Sequence, residues 1–164
     1  MWKAKKFAKL LLVEKTRKLT ALYPENRKIT EKGGVEMRKI IISVQNRLLG
    51  DALVSILEES GEFEPSRVIV DRKKRTAAAC AAFQPEIVLM EVAQTAVASV
   101  KERMKEVYQI RALLPDCKVV FLCDEHVSPQ IAEEVVGVRK NREIDAFCYS
   151  SVTMKYMLAT LSAL

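Results

Sequence analysis

Pro85-Glu86-Ile87-Val88-Leu89-Met90-Glu91 is an apolar run that ends in a carboxylate, and it reads as a buried strand carrying one acidic side chain to its C-terminal tip. Open α/β folds bind their ligands at the C-terminal edge of a parallel sheet, so a carboxylate delivered there is placed for chemistry. The other reactive residue types are sparse. Cys80, Cys117, Cys123 and Cys148 show no Cys-x-x-Cys spacing, and His126 is the single histidine, a pattern that argues against a zinc site. Cys123 and Cys148 fall on neighbouring predicted strands, but a redox pair needs exposed thiols of low pKa, and both are expected to be buried and reduced. No Gly-x-Gly-x-x-Gly or Gly-x-x-x-x-Gly-Lys loop is present to cradle a nucleotide. With one histidine and no nucleophile motif, no catalytic residue is assigned and no enzymatic activity is expected.

The elements that must position Glu91 follow from periodicity and punctuation. From Met37 onwards short β-branched runs alternate with longer amphipathic ones, with strands expected over 39–44, 67–70, 87–91, 118–123 and 144–149. Helices are expected over 47–60, 72–83, 95–114, 128–139 and 152–163. Gly61 suits the end of the first helix, Asp71 an N-cap of the second, and Ser128 with Pro129 the start of the fourth. Strands one, three and four are nearly continuous apolar runs, as central strands covered on both faces should be. The expected fold is a doubly wound α/β domain, a five-stranded parallel sheet of order 2-1-3-4-5, whose binding crevice lies at the loops after strands one and three.

Residues 37–164 resemble the receiver domains of bacterial response regulators, a flavodoxin-like fold. The run ending in Glu91 is similar to the family's Pro-Asp-x-Val-Leu-Met-Asp, whose last aspartate takes a phosphoryl group; here the carboxylate is one methylene longer. Val44-Gln45-Asn46-Arg47-Leu48-Leu49-Gly50-Asp51-Ala52-Leu53 looks like the family's Asp-Asp-Asn-Arg-Leu-x-x-Glu-x-Leu. Lys118-Val119-Val120-Phe121-Leu122-Cys123 is similar to its fourth strand, and Asp145-Ala146-Phe147-Cys148-Tyr149-Ser150 to its Asp-Gly-Phe-x-x-Lys.

The resemblance makes Glu91 the phosphoacceptor-equivalent position and puts a degenerate pocket around it. The family's acidic pair falls on Val44 and Gln45, or on Gln45 and Asn46; its strand-four hydroxyl falls on Cys123 and its lysine on Ser150. Ala93-Gln94-Thr95 replaces its Met-Pro and glycine, and its switch aromatic matches Phe147. Phosphoryl transfer depends on positioning and charge neutralisation, and Mg²⁺ on hard oxygen ligands that usually include carboxylates. With both acids and the lysine absent, no metal or other cofactor is expected. Glu91 is then either a phosphate mimic or a plain carboxylate bonded to nearby amides or hydroxyls.

The implied function is that of a stand-alone pseudo-receiver in signal transduction. It would act by phosphorylation-independent contact with a protein partner, or as a homodimer, through the helix four, strand five and helix five face. That face comprises 126–139, 147–151 and the last helix with Met154, Tyr156, Met157, Leu158 and Leu161. The alternative is a genuine phosphorelay receiver that accepts phosphate at an atypical site. The chain stops after the fifth helix, so direct binding to nucleic acid is not expected.

Charge separates the chain into two parts. Residues 1–36 carry ten Lys or Arg against four Glu, while 37–164 carry seventeen of each sign, so the net +6 belongs to a basic leader. Lys3, Lys5, Lys6, Lys9, Lys15, Arg17 and Lys18 interleave with Trp2, Phe7, Leu10, Leu11, Leu19 and Leu22, a pattern that suits an amphipathic helix on anionic lipid or an acidic partner, or else a loosely ordered tail. Apolar stretches fall short of the ~20 residues of a membrane helix, and no signal-peptide pattern opens the chain, so a cytoplasmic location is the default and membrane contact would come only through the leader. A second basic run, Arg72-Lys73-Lys74-Arg75, sits at the expected start of helix two, where cations oppose the helix dipole by a few tenths of a kcal/mol each. It is either a solvated face or a dock for an acidic partner or anionic ligand.

Lys32-Gly33-Gly34-Val35-Glu36 can be encoded by a purine-rich stretch of the kind that recruits bacterial ribosomes, and Met37 directly follows. Met37 is therefore the expected natural start. Mass spectrometry of the native N-terminal peptide should begin there, and peptides from 1–36 would sink the expectation.

Overall fold

The computed structural model describes residues 36–70 and 76–164. The leader up to residue 35, the Asp71 cap and the Arg72-Lys73-Lys74-Arg75 run lie outside the described residues. Five strands, β1 (Arg38–Val44), β2 (Phe63–Ile69), β3 (Ile87–Val92), β4 (Lys118–Cys123) and β5 (Ala146–Tyr149), form one parallel sheet of order β2-β1-β3-β4-β5. Between and after them run α1 (Arg47–Ser60), α2 (Thr76–Phe83), α3 (Val100–Leu113), α4 (Pro129–Lys140) and α5 (Met154–Ser162). This is the doubly wound architecture and strand order that the sequence implies.

Alternation along the central strands builds two cores. Ile40, Ile42 and Val44 join Leu53 and Leu57 of α1, Phe63, Leu89, and Met157 and Leu161 of α5 on one face. Ile41, Val88 and Met90 join Cys80 of α2, Met104, Val107 and Ile110 of α3, and Ile131 and Val135 of α4 on the other. Side chains of this size each contribute about 1.5–3 kcal/mol when fully buried, so it is these two apolar layers that hold the helices to the sheet. Among the described residues no helix is long and apolar enough to cross a membrane.

Of the boundaries that differ from the sequence reading, three have a clear local reason. β2 starts at Phe63, four residues before the expected Arg67, with Pro65 in register opposite Ile40. An edge strand accepts a proline because part of its N–H row needs no partner. The third helix starts at Val100, not at residue 95, because Ser99 is its N-cap and accepts from the Glu102 amide at 3.3 Å. Thr95 instead holds a turn, its Oγ1 accepting from the Ala98 amide at 3.2 Å, a use of the hydroxyl that competes with helix. β5 starts at Ala146, since the Asp145 carboxylate accepts from the Val119 amide at 2.9 Å.

The caps are mixed. Asn46 caps α1, accepting from the Leu49 amide at 3.1 Å, and Thr153 caps α5 through the Tyr156 amide at 3.2 Å. Ser128 precedes α4 as expected, yet its side chain makes no capping bond and is buried. Gly61 closes α1 in the left-handed conformation at φ 67°, with its N–H on Glu58 O at 3.1 Å. An added Cβ at Gly61 would meet nothing within 4 Å, so Gly61→Ala carries a backbone cost alone. Urea unfolding should show a loss of about 1 kcal/mol for that variant, and an unchanged midpoint would mean the turn relaxes.

Candidate functional site

The β1–β3 ladder ends at Ser43 opposite Met90, and beyond that point the two strands feed helices on opposite faces. This is the switch point where a doubly wound sheet opens its crevice. Glu91, the next residue on β3, is half-buried, and its Oε2 accepts a hydrogen bond from the Gln45 backbone N–H at 2.5 Å. The Gln45 side chain is held in turn, its Oε1 accepting from Thr95 Oγ1 at 2.9 Å. Thus the loops after β1 and β3 are stitched across the crevice by their own polar groups.

Directly beneath lies a fully buried arginine. Arg103 of α3 is 0% exposed, and its Nε donates to Glu91 O at 2.7 Å while Nη2 donates to Ser43 O at 3.1 Å. Its Nη1 reaches Ser43 Oγ at 3.1 Å and lies 3.4 Å from both Thr76 Oγ1 and Glu106 Oε1. Glu106, one helical turn further on, turns its Oε2 to the Thr76 amide at 2.6 Å, and Ser43 Oγ and Thr76 Oγ1 are 2.6 Å apart. A buried charge is costly unless paired and hydrogen-bonded, and this one has both a carboxylate and a set of fixed acceptors. A guanidinium suits the position because its planar fork addresses several acceptors at once, which a lysine ammonium cannot.

The sequence-predicted pocket residues are brought to this edge in different states. Val44 is fully buried in the core, Asn46 is exposed as the α1 cap, and Gln45 lies between them. Ser150 is exposed, with its N–H on Cys123 O at 2.9 Å. Asp124, next to Cys123, has its carboxyl held below the ordinary carboxylate range, first by the Val127 amide and further by the Ser150 hydroxyl and the His126 amide.

All four cysteines are free and buried. Burial pushes the Cys123 thiol up to about 11, with Glu125 and Asp124 adding to it, and burial also raises Cys148. Cys123 faces one core and Cys148 the other, so the neighbouring strands hold them on opposite sides of the sheet. Thiols in that state carry little thiolate at neutral pH, as the sequence reading expects.

Phe147 is half-buried, in register with Phe121, and stands edge-on to Tyr149 with ring centroids 5.3 Å apart. In α5, Met157 and Leu161 are core residues and Leu158 packs against them, whereas Met154 and Tyr156 are exposed. The cluster of Ser43, Thr76, Arg103 and Glu106 is absent from the sequence reading. Its signal is a charged residue on an apolar helical stripe, since Arg103 shares the i, i+3, i+4, i+7 face with Val100, Met104, Val107 and Ile110.

Comparison with models of protein families and with curated proteins gives no match. Solved structures do resemble the chain. Chemotaxis protein CheY4 of Vibrio cholerae superposes with a TM-score of 0.60 at 14% identity, over 78% of this chain and 98% of that one. The BeF3-activated N-terminal receiver domain of Klebsiella pneumoniae RstA gives 0.57 at 14%, over 76% and 96%. An adenylate cyclase from Rhodopirellula baltica gives 0.61 at 13%, over 78% and 87%. At these identities the likeness establishes a shared fold, the flavodoxin-like receiver fold.

Removing one partner of the buried pair should be severe. Arg103→Met leaves Glu106 buried without its cation and is expected to cost about 3–5 kcal/mol, whereas the double variant Arg103→Met/Glu106→Leu should recover most of that. Urea denaturation at constant m-value checks both, and a single variant within 1 kcal/mol of the parent, by order of magnitude, would contradict the pairing.

Proposed function

We propose that this chain is a receiver-type signalling module that works through protein contact and not through phosphotransfer, docking by the face that α4, β5 and α5 form. The observation that carries the proposal is the bond from the Gln45 amide to the Glu91 carboxylate, because the group that would accept phosphate is already committed to the backbone. Support also comes from the donor set around it. Mg²⁺ seeks carboxylate and other hard oxygen ligands in octahedral array, and the residues at the β1 exit are an apolar Val44, a tethered Gln45 and a helix-capping Asn46. These residues do not fit the ion.

Counter-charge is the second need of a phosphorylated carboxylate, and Ser150 offers none where a lysine would serve. Arg103 is the cation nearest in function, yet its donors are spent on Ser43, Thr76, Glu106 and the Glu91 carbonyl. On this reading the chain is a contact module that needs neither a metal nor a phosphoryl group at Glu91. Its output surface is the one that carries exposed Met154 and Tyr156 on α5 and the outer side of α4.

An amide NMR titration with millimolar Mg²⁺, followed by beryllofluoride as an acyl-phosphate analogue, tests the proposal. Resonances of Gln45, Glu91, Cys123 and Phe147 should stay in place. Shifts clustered at those residues would instead support the phosphorelay alternative.

A further inference from the structure

Most of the large apolar side chains that the described residues leave in solvent stand at one edge of the sheet. Eight are exposed, and five of them, Leu48, Ile69, Val127, Met154 and Tyr156, fall where strands end and helices begin. All five strands are parallel, so every strand exit and every helix start lies at the same edge. One exposed leucine is ordinary, whereas a gathering of apolar side chains at one edge calls for a partner.

Leu48 and Val127 project furthest, at 80% and 79% exposed. Both are set on fixed turns. Asn46 caps α1 through the Leu49 amide, and with Leu49, Leu53 and Leu57 turned to the sheet, Leu48 is left outside. The Asp124 carboxylate accepts from the His126 and Val127 amides at 3.0 Å each, which holds the turn between β4 and α4. Leu48 follows β1 and Val127 follows β4, two strands away, so at about 4.8 Å per strand these connections leave the sheet roughly 10 Å apart.

Cations accompany the apolar tips. Arg47, Lys101 and Lys155 lie in the first turns of α1, α3 and α5, are exposed, and make no ion pair with another described residue. A cation in a first turn opposes the helix dipole, so helix stability does not account for them. The nearby acids are withdrawn or paired. Glu91, Asp124 and Glu125 are half-buried and accept from the Gln45 amide, the turn amides and the Ser151 hydroxyl, while Asp51 and Glu102 are paired with Arg67 and Lys105.

Aliphatic tips among free cations match a partner that offers both hydrocarbon and negative charge. Nucleic acid offers phosphate but nothing that would favour a protruding leucine or valine, whereas an anionic bilayer offers both. We infer that this edge of the folded domain lies on an anionic lipid bilayer. Leu48 and Val127 enter the interfacial layer, and Arg47, Lys101 and Lys155 lie among the headgroup phosphates. The sequence confines membrane contact to the leader; the edge adds a second contact, made by the folded domain. Met154 and Tyr156, at the start of α5, belong both to this edge and to the protein-docking face.

Co-sedimentation of the full chain with lipid vesicles tests the inference, with circular dichroism confirming that each variant is folded. Vesicles of equal parts phosphatidylglycerol and phosphatidylcholine should bind the chain more tightly than phosphatidylcholine alone. Arg47→Ser and Lys155→Ser should each weaken that binding about fivefold. Leu48→Ser with Val127→Ser should weaken it at least roughly tenfold. Leu113→Ser, which alters an exposed residue at the opposite end of a helix, should change nothing. The leader is the same in every variant, so a difference among them belongs to the folded domain. Binding indifferent to the edge substitutions overturns the inference and assigns the affinity to the leader. Binding that weakens with the lost cations but not with the Leu48 and Val127 pair also overturns it, in favour of an acidic macromolecule. Neither result bears on Glu91, whose state the beryllofluoride titration decides.

Discussion

Wherever β1 and β3 part company, the backbone acceptors at the end of their ladder need new partners, and the rest of this site depends on how that need is met. Arg103 meets it by donating to Ser43 O and Glu91 O at once, from a helix on one face of the sheet. Because buried polar groups lose more by going unpaired than they gain by pairing, each acceptor constrains where the guanidinium sits. Glu106 extends the constraint by holding both Arg103 and the first amide of α2. Four elements, β1, β3, α2 and α3, are thereby fixed in one mutual register. Such a pair adds little net stability over a well-packed apolar core, so its main physical effect is on which arrangement is allowed.

A crevice closed in this way differs from a ligand site in kind. Ligand sites hold polar groups in reserve, aimed at a space that a substrate or ion will fill. Here Glu91, Gln45 and Thr95 satisfy one another across that space, and Arg103 satisfies the carbonyls below it. One oxygen of the Glu91 carboxylate is engaged there by the Gln45 amide at 2.5 Å.

The fold was legible in the sequence because central parallel strands, covered on both sides, must be apolar throughout, and 40–44, 87–90 and 118–123 are nearly so. Legibility failed at the edge, where Glu64, Pro65 and Ser66 read as a loop although they pair with β1. It failed again at the start of α3, where two hydroxyl residues compete to cap and the later one, Ser99, prevails. Position 91 could be placed from its run alone. The network beneath it could not, because in a linear pattern Arg103 and Glu106 look like a surface i, i+3 pair, and only the depth of the stripe they share with Val100 and Val107 reveals that they face inward.

The length of residue 91 follows from the same geometry. A carboxylate on β3 must cross the gap to the β1 exit loop to reach the Gln45 amide, and glutamate spans it at 2.5 Å. Removing one methylene withdraws the carboxylate by about 1.5 Å, beyond hydrogen-bonding reach unless the loop follows it. The shorter acid is the one suited to a metal or a phosphoryl group standing in the gap, since it leaves room for them. The longer acid uses up that room itself. Glutamate at position 91, glutamine at 45 and a buried arginine at 103 are thus mutually compatible, the first reaching the β1 exit loop, the second tied to Thr95 and the third holding the carbonyls below.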